Sequence, residues 1–331
     1  MRQVVITRHG GPEVLEVREA PDPQPQPGQV RVRVKAAGLN FADVMARVGM
    51  YRDAPPPPAV MGYEVAGEID LPRERAGERV IAMPHFGGQS ELICVPATHL
   101  APMPAKLSFA EAASIPVVWL TAWHMLVELG GVRAGHTVLI HAAAGGVGTA
   151  ALQICRKFGA QTIGTASAGK HERLRALGLD HAIDYRSEDF EERVKALTNG
   201  RGVDLALDAT GEFKKTFRCL AQAGRMFMFG ASNVMRGEKR NLMAAVSAVL
   251  GMPWFHPLRM LPDNKGIFGV NMGKMWNEES LMKRELAAVL KGFESGEFRA
   301  IVDAEVPFAE AARAHQRLSG RENFGKVLLV P

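Results

Sequence analysis

Cysteine is scarce in this chain: Cys94, Cys155 and Cys219 are the only three in 331 residues. They are odd in number and far apart, so they supply neither a disulfide framework nor a metal-ligand spacing, and they suit a reducing cytosol. Long hydrophobic runs are lacking as well. The longest apolar stretch, 243–255, is broken by Ser247 and Pro253 and is shorter than the roughly 20 residues that span a bilayer. The opening MRQVVITRHGG holds no apolar signal segment. A cytoplasmic protein without an integral membrane segment is therefore expected. The formal net charge of +5 comes from scattered lysines and arginines. No basic run with interleaved aromatics accompanies it, which disfavours nucleic acid as a partner; an anionic cofactor explains part of the bias equally well. Repeats are absent, and low complexity is confined to Pro55, Pro56, Pro57 and Pro58.

What is present is an ordinary globular composition, 47% hydrophobic and 23% charged, in a chain long enough for two domains. One stretch organises it, TVLIHAAAGGVGT from Thr137 to Thr149. Thr137 to His141 is an apolar run of the kind that makes a buried parallel strand. Small residues follow, and then Ala150 to Phe158 repeats apolar side chains at helical spacing. Ala143, Gly145 and Gly148 fill the three slots of a dinucleotide-binding fingerprint. Small side chains let the backbone approach a pyrophosphate, and the helix amino terminus offers free N–H groups and positive dipole to hold it.

Residues 1 to about 115 read as short valine-rich strands with frequent turns: Gln3 to Thr7, Leu15 to Glu19, Gln29 to Ala37, Gly62 to Ile69 and Glu78 to Met83. The third alternates strictly from Val30 to Lys35, so one face is buried and one is wet. A partly closed barrel is expected. Asn40, Asp43 and Tyr51 lie in or beside a short helix at a strand end, where active-site groups often sit. Their alternative role is local, with Asn40 or Asp43 capping that helix and Tyr51 packed in a loop. Ser108 and Glu111 form a capping box at a second helix. Thr121, in the helical stretch Val118 to Leu126, either faces a cofactor or bonds its own helix. Beyond the fingerprint, strands at Gln161 to Thr165, His181 to Asp184, Val203 to Asp208, Arg225 to Gly230 and Gly266 to Val270 alternate with helices. That order predicts an α/β, doubly wound parallel sheet. Helices are expected at 242–250 and from Glu279 to about Ser295. Lys326 to Val330 closes the chain as a strand that returns to the first domain.

An NAD-binding fold places an acid about 20 residues past the glycines to bond the ribose hydroxyls. Here that region reads Gly164, Thr165, Ala166, Ser167, Ala168, Gly169, Lys170, His171, with no acid among them. Ser167 can donate to a 2′-phosphate and Lys170 can neutralise it, whereas a carboxylate would repel it. Tyr185, at the end of the next strand, can wall an adenine. NADPH is therefore expected over NADH; the local alternative is a capping Ser167 and a solvated Lys170.

These pieces resemble the medium-chain dehydrogenase/reductase superfamily, in its zinc-free quinone oxidoreductase, or zeta-crystallin-like, branch. The resemblance rests on Gly38-Leu39-Asn40-Phe41-Ala42-Asp43, Gly62-Tyr63-Glu64-Val65-Ala66-Gly67, Ala142 to Gly148 and Asn323-Phe324-Gly325-Lys326-Val327. Gly164 to Glu172 and Gly237 to Ala244 are similar to the synaptic vesicle amine-transport-like proteins of that branch. The resemblance implies a GroES-like catalytic domain over 1–117 and a Rossmann NADPH-binding domain over 118–262. Residues 263–331 then carry the last Rossmann strand and the return to the first domain. Zinc members carry a Cys and a Gly-His-Glu where this chain has Asn40 and Tyr63, and the cysteine-rich loop is missing between Pro84 and Leu100; no zinc site is expected. The implied chemistry is hydride transfer from NADPH to a quinone or an α,β-unsaturated carbonyl. Asn40 and Tyr51 would act at the reacting end, Asn40 beside the nicotinamide as a cofactor contact too and Tyr51 lining the substrate pocket. Thr121 would meet the nicotinamide amide, and Ala144, Gly145, Gly146 and Val147 the pyrophosphate. Phe229, Gly230, Ser232, Phe268 and Val270 would lie along the cofactor, and Asn323 would close the site from the tail. A homodimer through the Rossmann sheet edge is implied too. A competing reading is an NADPH-binding sensor or scaffold with little turnover.

Overall fold

The computed structural model describes residues 1–230, 232 and 255–331. The expected helix at 242–250, the segment Gly237 to Ala244 and Trp254 lie outside the described residues. Two compact units divide the chain, with boundaries between Val117 and Val118 and between Met275 and Trp276.

The first unit opens with the hairpin of β1 (Arg2–Ile6) and β2 (Leu15–Glu19). Strand β3 (Gln29–Leu39) follows, then α1 (Phe41–Arg47), β4 (Val65–Leu71), β5 (Arg79–Ala82), β6 (Leu92–Pro96), β7 (Leu100–Pro102) and α2 (Phe109–Ala113). Helix α3 (Pro116–Trp123) carries the chain out of it. In β3 the alternating valines Val30, Val32 and Val34 are buried with Val65, Ile69, Val80, Ile93 and Val95, so the period-2 pattern does pick the core face. β3 runs two residues beyond the expected Ala37. Its first half, from Gln29 to Arg33, pairs β6. Its pairing with β4 shifts register between Val34 and Ala36, and at such an irregularity a strand can bend. β6 and β7 are strands that the sequence reading left out; both are short and carry prolines.

The second unit starts with β8 (Thr137–Ile140), all of it buried, and α4 (Gly146–Lys157). Then β9 (Gln161–Ala166), α5 (His171–Ala176), β10 (His181–Asp184), α6 (Phe190–Leu197), β11 (Val203–Asp208), α7 (Phe213–Arg218), β12 (Leu220–Met228) and β13 (Gly266–Gly269) follow. The six strands are parallel in the order β10-β9-β8-β11-β12-β13. That is the doubly wound order 3-2-1-4-5-6, which reverses direction between β8 and β11. Leu139, Ile163, Ile183, Ala206 and Met226 fill one face. Phe255, partly buried, packs against that cluster with its ring 5.2 Å from Phe217.

The chain then returns to the first unit. β14 (Val302–Pro307) and β15 (Lys326–Val330) complete its sheet in the order β14-β15-β3-β4-β5-β7. β15 takes the same edge of β3 that β6 leaves, pairing Val327 with Leu39 and Leu329 with Ala37. Among the described residues no helix is long and apolar enough to cross a membrane.

Candidate functional site

In the second unit the sequence-predicted residues gather at the carboxyl edge of the parallel sheet. Past β8 the backbone turns through Ala142 at φ 52°, and Gly145 caps α4. The two outer glycines of the fingerprint serve different ends. A Cβ on Gly148 would lie 2.5 Å from the Ala143 carbonyl oxygen, so internal packing alone demands glycine there. A Cβ on Gly145 would meet only the Ala142 oxygen, at 3.3 Å. Its bare backbone is thus available to a ligand at the start of a helix whose first N–H groups have no intrahelical acceptor. Gly145, Gly146 and Val147 are partly exposed, and Ala144 is buried behind them.

Ser167 stands at the end of β9, partly exposed, and its hydroxyl does not cap the following turn. Lys170 closes that turn through its N–H to the Ser167 carbonyl, 2.9 Å. The register pairs Asp184 with Ala166, which sets exposed Tyr185 level with Ser167. Phe229 and Ser232 are held to the end of β11 by N–H bonds to Asp208 O (3.1 Å) and Ala209 O (2.9 Å), with Gly230 between them. Val270 donates its N–H to Met228 O at 2.9 Å. Phe268 stacks on Phe227 at 5.3 Å, so its ring braces the sheet. Thr121 is buried within α3.

Beneath this edge lies a polar chain absent from the sequence reading. The Thr216 hydroxyl donates to Asp208 Oδ2, 2.8 Å. A carboxylate only accepts, so Thr216 offers His141 Nε2 an acceptor, at 3.0 Å, and Nε2 carries the proton. His141 Nδ1 then accepts from the Thr165 hydroxyl, 3.1 Å. Burial lowers the imidazole's pKa and keeps it neutral. The other Asp208 oxygen accepts the N–H groups of Thr210 (2.7 Å) and Gly211 (3.0 Å). β8, β9, β11 and α7 are thereby fixed to one another near the carboxyl edge of the sheet.

The first unit holds a second cluster. Asn40 is the N-cap of α1, and Asp43, three residues on, completes a capping box: Asp43 Oδ2 accepts the Asn40 N–H at 2.6 Å and its Oδ1 that of Gly62 at 3.2 Å. Asn40 also turns its carboxamide to two further partners. Its Nδ2 donates to Glu64 Oε1 at 2.9 Å, and its Oδ1 accepts from Lys326 Nζ at 2.6 Å. Lys326 and Glu64 also form an ion pair, 2.5 Å. The second Glu64 oxygen accepts the Val117 N–H at 2.7 Å. Asn40 is 9% exposed, Lys326 4%, and Asp43 and Glu64 not at all. One cation thus faces two buried acids. Burial pushes Asp43 up to about 7, with Glu64 adding to the rise, against its backbone bonds and Lys326. Tyr63 packs beside them, edge-on to Tyr51 at 6.3 Å and 5.3 Å from the Phe86 ring. Asn323 Nδ2 donates to Gly325 O at 2.8 Å, which shapes the turn that delivers Lys326. Glu64 and Lys326 were missed as functional residues. The signal for Glu64 was a lone acid inside an otherwise apolar stretch, a charge that burial obliges to find a partner.

A doubly wound domain carrying a glycine cradle, joined to a mostly antiparallel domain completed by the chain's return, defines a nucleotide-dependent oxidoreductase fold. Residues 26–105 match the alcohol dehydrogenase GroES-like domain, and residues 177–329 match the family described as zinc-binding dehydrogenase. The chain belongs to the medium-chain dehydrogenase/reductase superfamily, among the VAT-1 homologues and quinone oxidoreductases. The synaptic vesicle membrane protein VAT-1 homolog of Rattus norvegicus is 37% identical over 341 residues, covering 100% of this chain and 84% of that protein. The quinone oxidoreductase of Thermus thermophilus, solved also with NADPH, superposes with a TM-score of 0.84 at 34% identity over 100% of both chains. A structure of an NAD-dependent alcohol dehydrogenase superposes with a TM-score of 0.83 at 34% identity, again over 100% of both chains. Two relatives at equal identity thus name different nicotinamides, and the choice rests on this chain's own side chains. Among the described residues, no group of three or more His, Cys, Asp or Glu is placed to hold a metal ion.

Proposed function

We propose that this protein is a zinc-independent, NADPH-dependent reductase of quinones or α,β-unsaturated carbonyls. The observation that carries the reading is the Asn40 cluster: where zinc members place a thiolate and an imidazole, this chain has a carboxamide and a buried phenol. Such a site offers a hydrogen-bond donor to a carbonyl oxygen where negative charge develops. The cofactor, when bound, supplies the hydride. The chain's part is to hold and orient. Gly145, Gly146 and Val147 receive the pyrophosphate at the start of α4. Ser167 and Lys170 receive the 2′-phosphate, with Tyr185 beside the adenine, and the missing acid removes the group that would favour NADH.

Fluorescence titration with NADPH and NADH tests the cofactor, and oxidation of the cofactor with 1,4-benzoquinone or 9,10-phenanthrenequinone tests the reaction. Preferential NADPH binding that Ser167→Asp or Lys170→Ala weakens, together with turnover, is expected. Equal affinity for both cofactors would overturn the assignment to NADPH. Binding without turnover across a panel of quinones and enones would overturn the reductase reading in favour of a nucleotide sensor.

A further inference from the structure

A carboxamide can present either its oxygen or its nitrogen to a ligand, and the two choices recognise opposite partners. In Asn40 the choice is made by neighbours of unambiguous chemistry. Lys326 can only donate, so the atom 2.6 Å from its Nζ is the oxygen. An ionised Glu64 can only accept, so the atom 2.9 Å from its Oε1 is the nitrogen. Oδ1 is thus held by the ammonium and one Nδ2–H by the carboxylate. The second Nδ2–H has no partner among the described residues. We propose that Lys326 and Glu64 are positioning residues that lock the Asn40 carboxamide so that it offers this N–H, a donor, to a substrate's carbonyl oxygen. The lock itself is a property of the fold; its use on a carbonyl rests on the reductase reading.

The ion pair is suited to this task because neither partner can reverse its role. Glu64 is also anchored on its far side, where Oε2 accepts the Val117 N–H at 2.7 Å. Replacing Lys326 alone would strand the Glu64 charge in the interior and could unfold the protein for reasons unrelated to orientation. The informative variant is the neutral double replacement Glu64→Gln with Lys326→Met. Val117 still needs an acceptor, so the introduced carboxamide turns its oxygen there and its NH2 group toward Asn40. Asn40 then answers with its oxygen, and its own carboxamide inverts. Charge balance is restored while the orientation is reversed.

Two readouts test the proposal. In selectively 15N-asparagine-labelled protein, with the signal identified by its loss in Asn40→Asp, wild type should show two inequivalent Nδ2 protons. One should be moved downfield by the carboxylate, and that displacement should vanish in the double variant. An ordinary, solvent-like pair of protons in wild type would overturn the lock. In quinone reduction, the double variant should keep its thermal transition and its KM for NADPH. Its kcat should fall about a hundredfold, the scale of losing one donor to a developing oxyanion. Unchanged kcat in a folded double variant would overturn the positioning role. A wild type with a locked amide and no turnover on any quinone or enone would overturn the reductase reading and the carbonyl as Asn40's ligand, while leaving the lock established.

Discussion

Glycine at one position and glycine three residues later answer different physical demands. At Gly148 a methyl group would run into the Ala143 backbone, whereas at Gly145 the chain has almost enough room for one. Gly148→Ala is expected to displace the start of α4 and to lower the melting temperature as well as abolish NADPH binding. Gly145→Ala should fold with a nearly unchanged melting temperature yet bind NADPH at least about tenfold more weakly, a loss of roughly 1.4 kcal/mol. Thermal unfolding with and without NADPH separates the two. Equal damage from both would mean that Gly145 is there for packing.

The elements show how much of this molecule can be read in advance. Where one local rule governs, the sequence was sufficient. The fingerprint lies between β8 and α4, the valines of β3 alternate as their burial requires, and Ser108 with Glu111 caps α2. There Glu111 N–H donates to Ser108 Oγ at 3.2 Å, and Ser108 N–H donates to Glu111 Oε2 at 2.8 Å. Ser108→Ala should cost about 1 kcal/mol in chemical denaturation, with NADPH affinity unchanged. Where two distant segments decide together, the sequence was silent. β6 pairs with the first half of β3, a partner about sixty residues earlier that the five residues Leu92–Pro96 do not announce by themselves. Asn40 and Asp43 look equally fit to cap α1; the structure uses both in one capping box, and the sequence does not show that Glu64 and Lys326, the latter 286 residues away, also hold the Asn40 carboxamide. The tail carries a family resemblance, from Asn323 to Val327, and a closing strand, but nothing in it shows that Lys326 pairs with Glu64 and Asn40.

For the molecule as a whole, two buried groups pull stability in opposite directions with pH. Asp43 holds its proton up to about 7 when folded, against 3.8 ordinarily. It therefore lowers stability as pH rises from about 4 to 7. His315, fully buried near Arg47, is pushed down to about 3 from 6.5, by burial first and then by the Arg47 charge. It lowers stability as pH falls through 6.5. Each changes the slope by about 1.4 kcal/mol per pH unit, with opposite sign, so they offset each other between about 4 and 6.5. Asp43→Asn removes one side of that balance. Its stability should fall more steeply than wild type between pH 6.5 and 4.5, measured by urea unfolding and compared as slopes, since the variant also loses a hydrogen bond to Asn40 or Gly62. Parallel slopes would sink this account. The return of the chain through β15 has a further meaning during synthesis. β3 and the Asn40 cluster emerge from the ribosome early, but the strand that covers the far half of β3 and the cation that balances Glu64 come only after the entire parallel-sheet unit has been made. The nascent protein must carry an open sheet edge and an uncompensated acid for most of its translation, so its first unit cannot mature before its second exists.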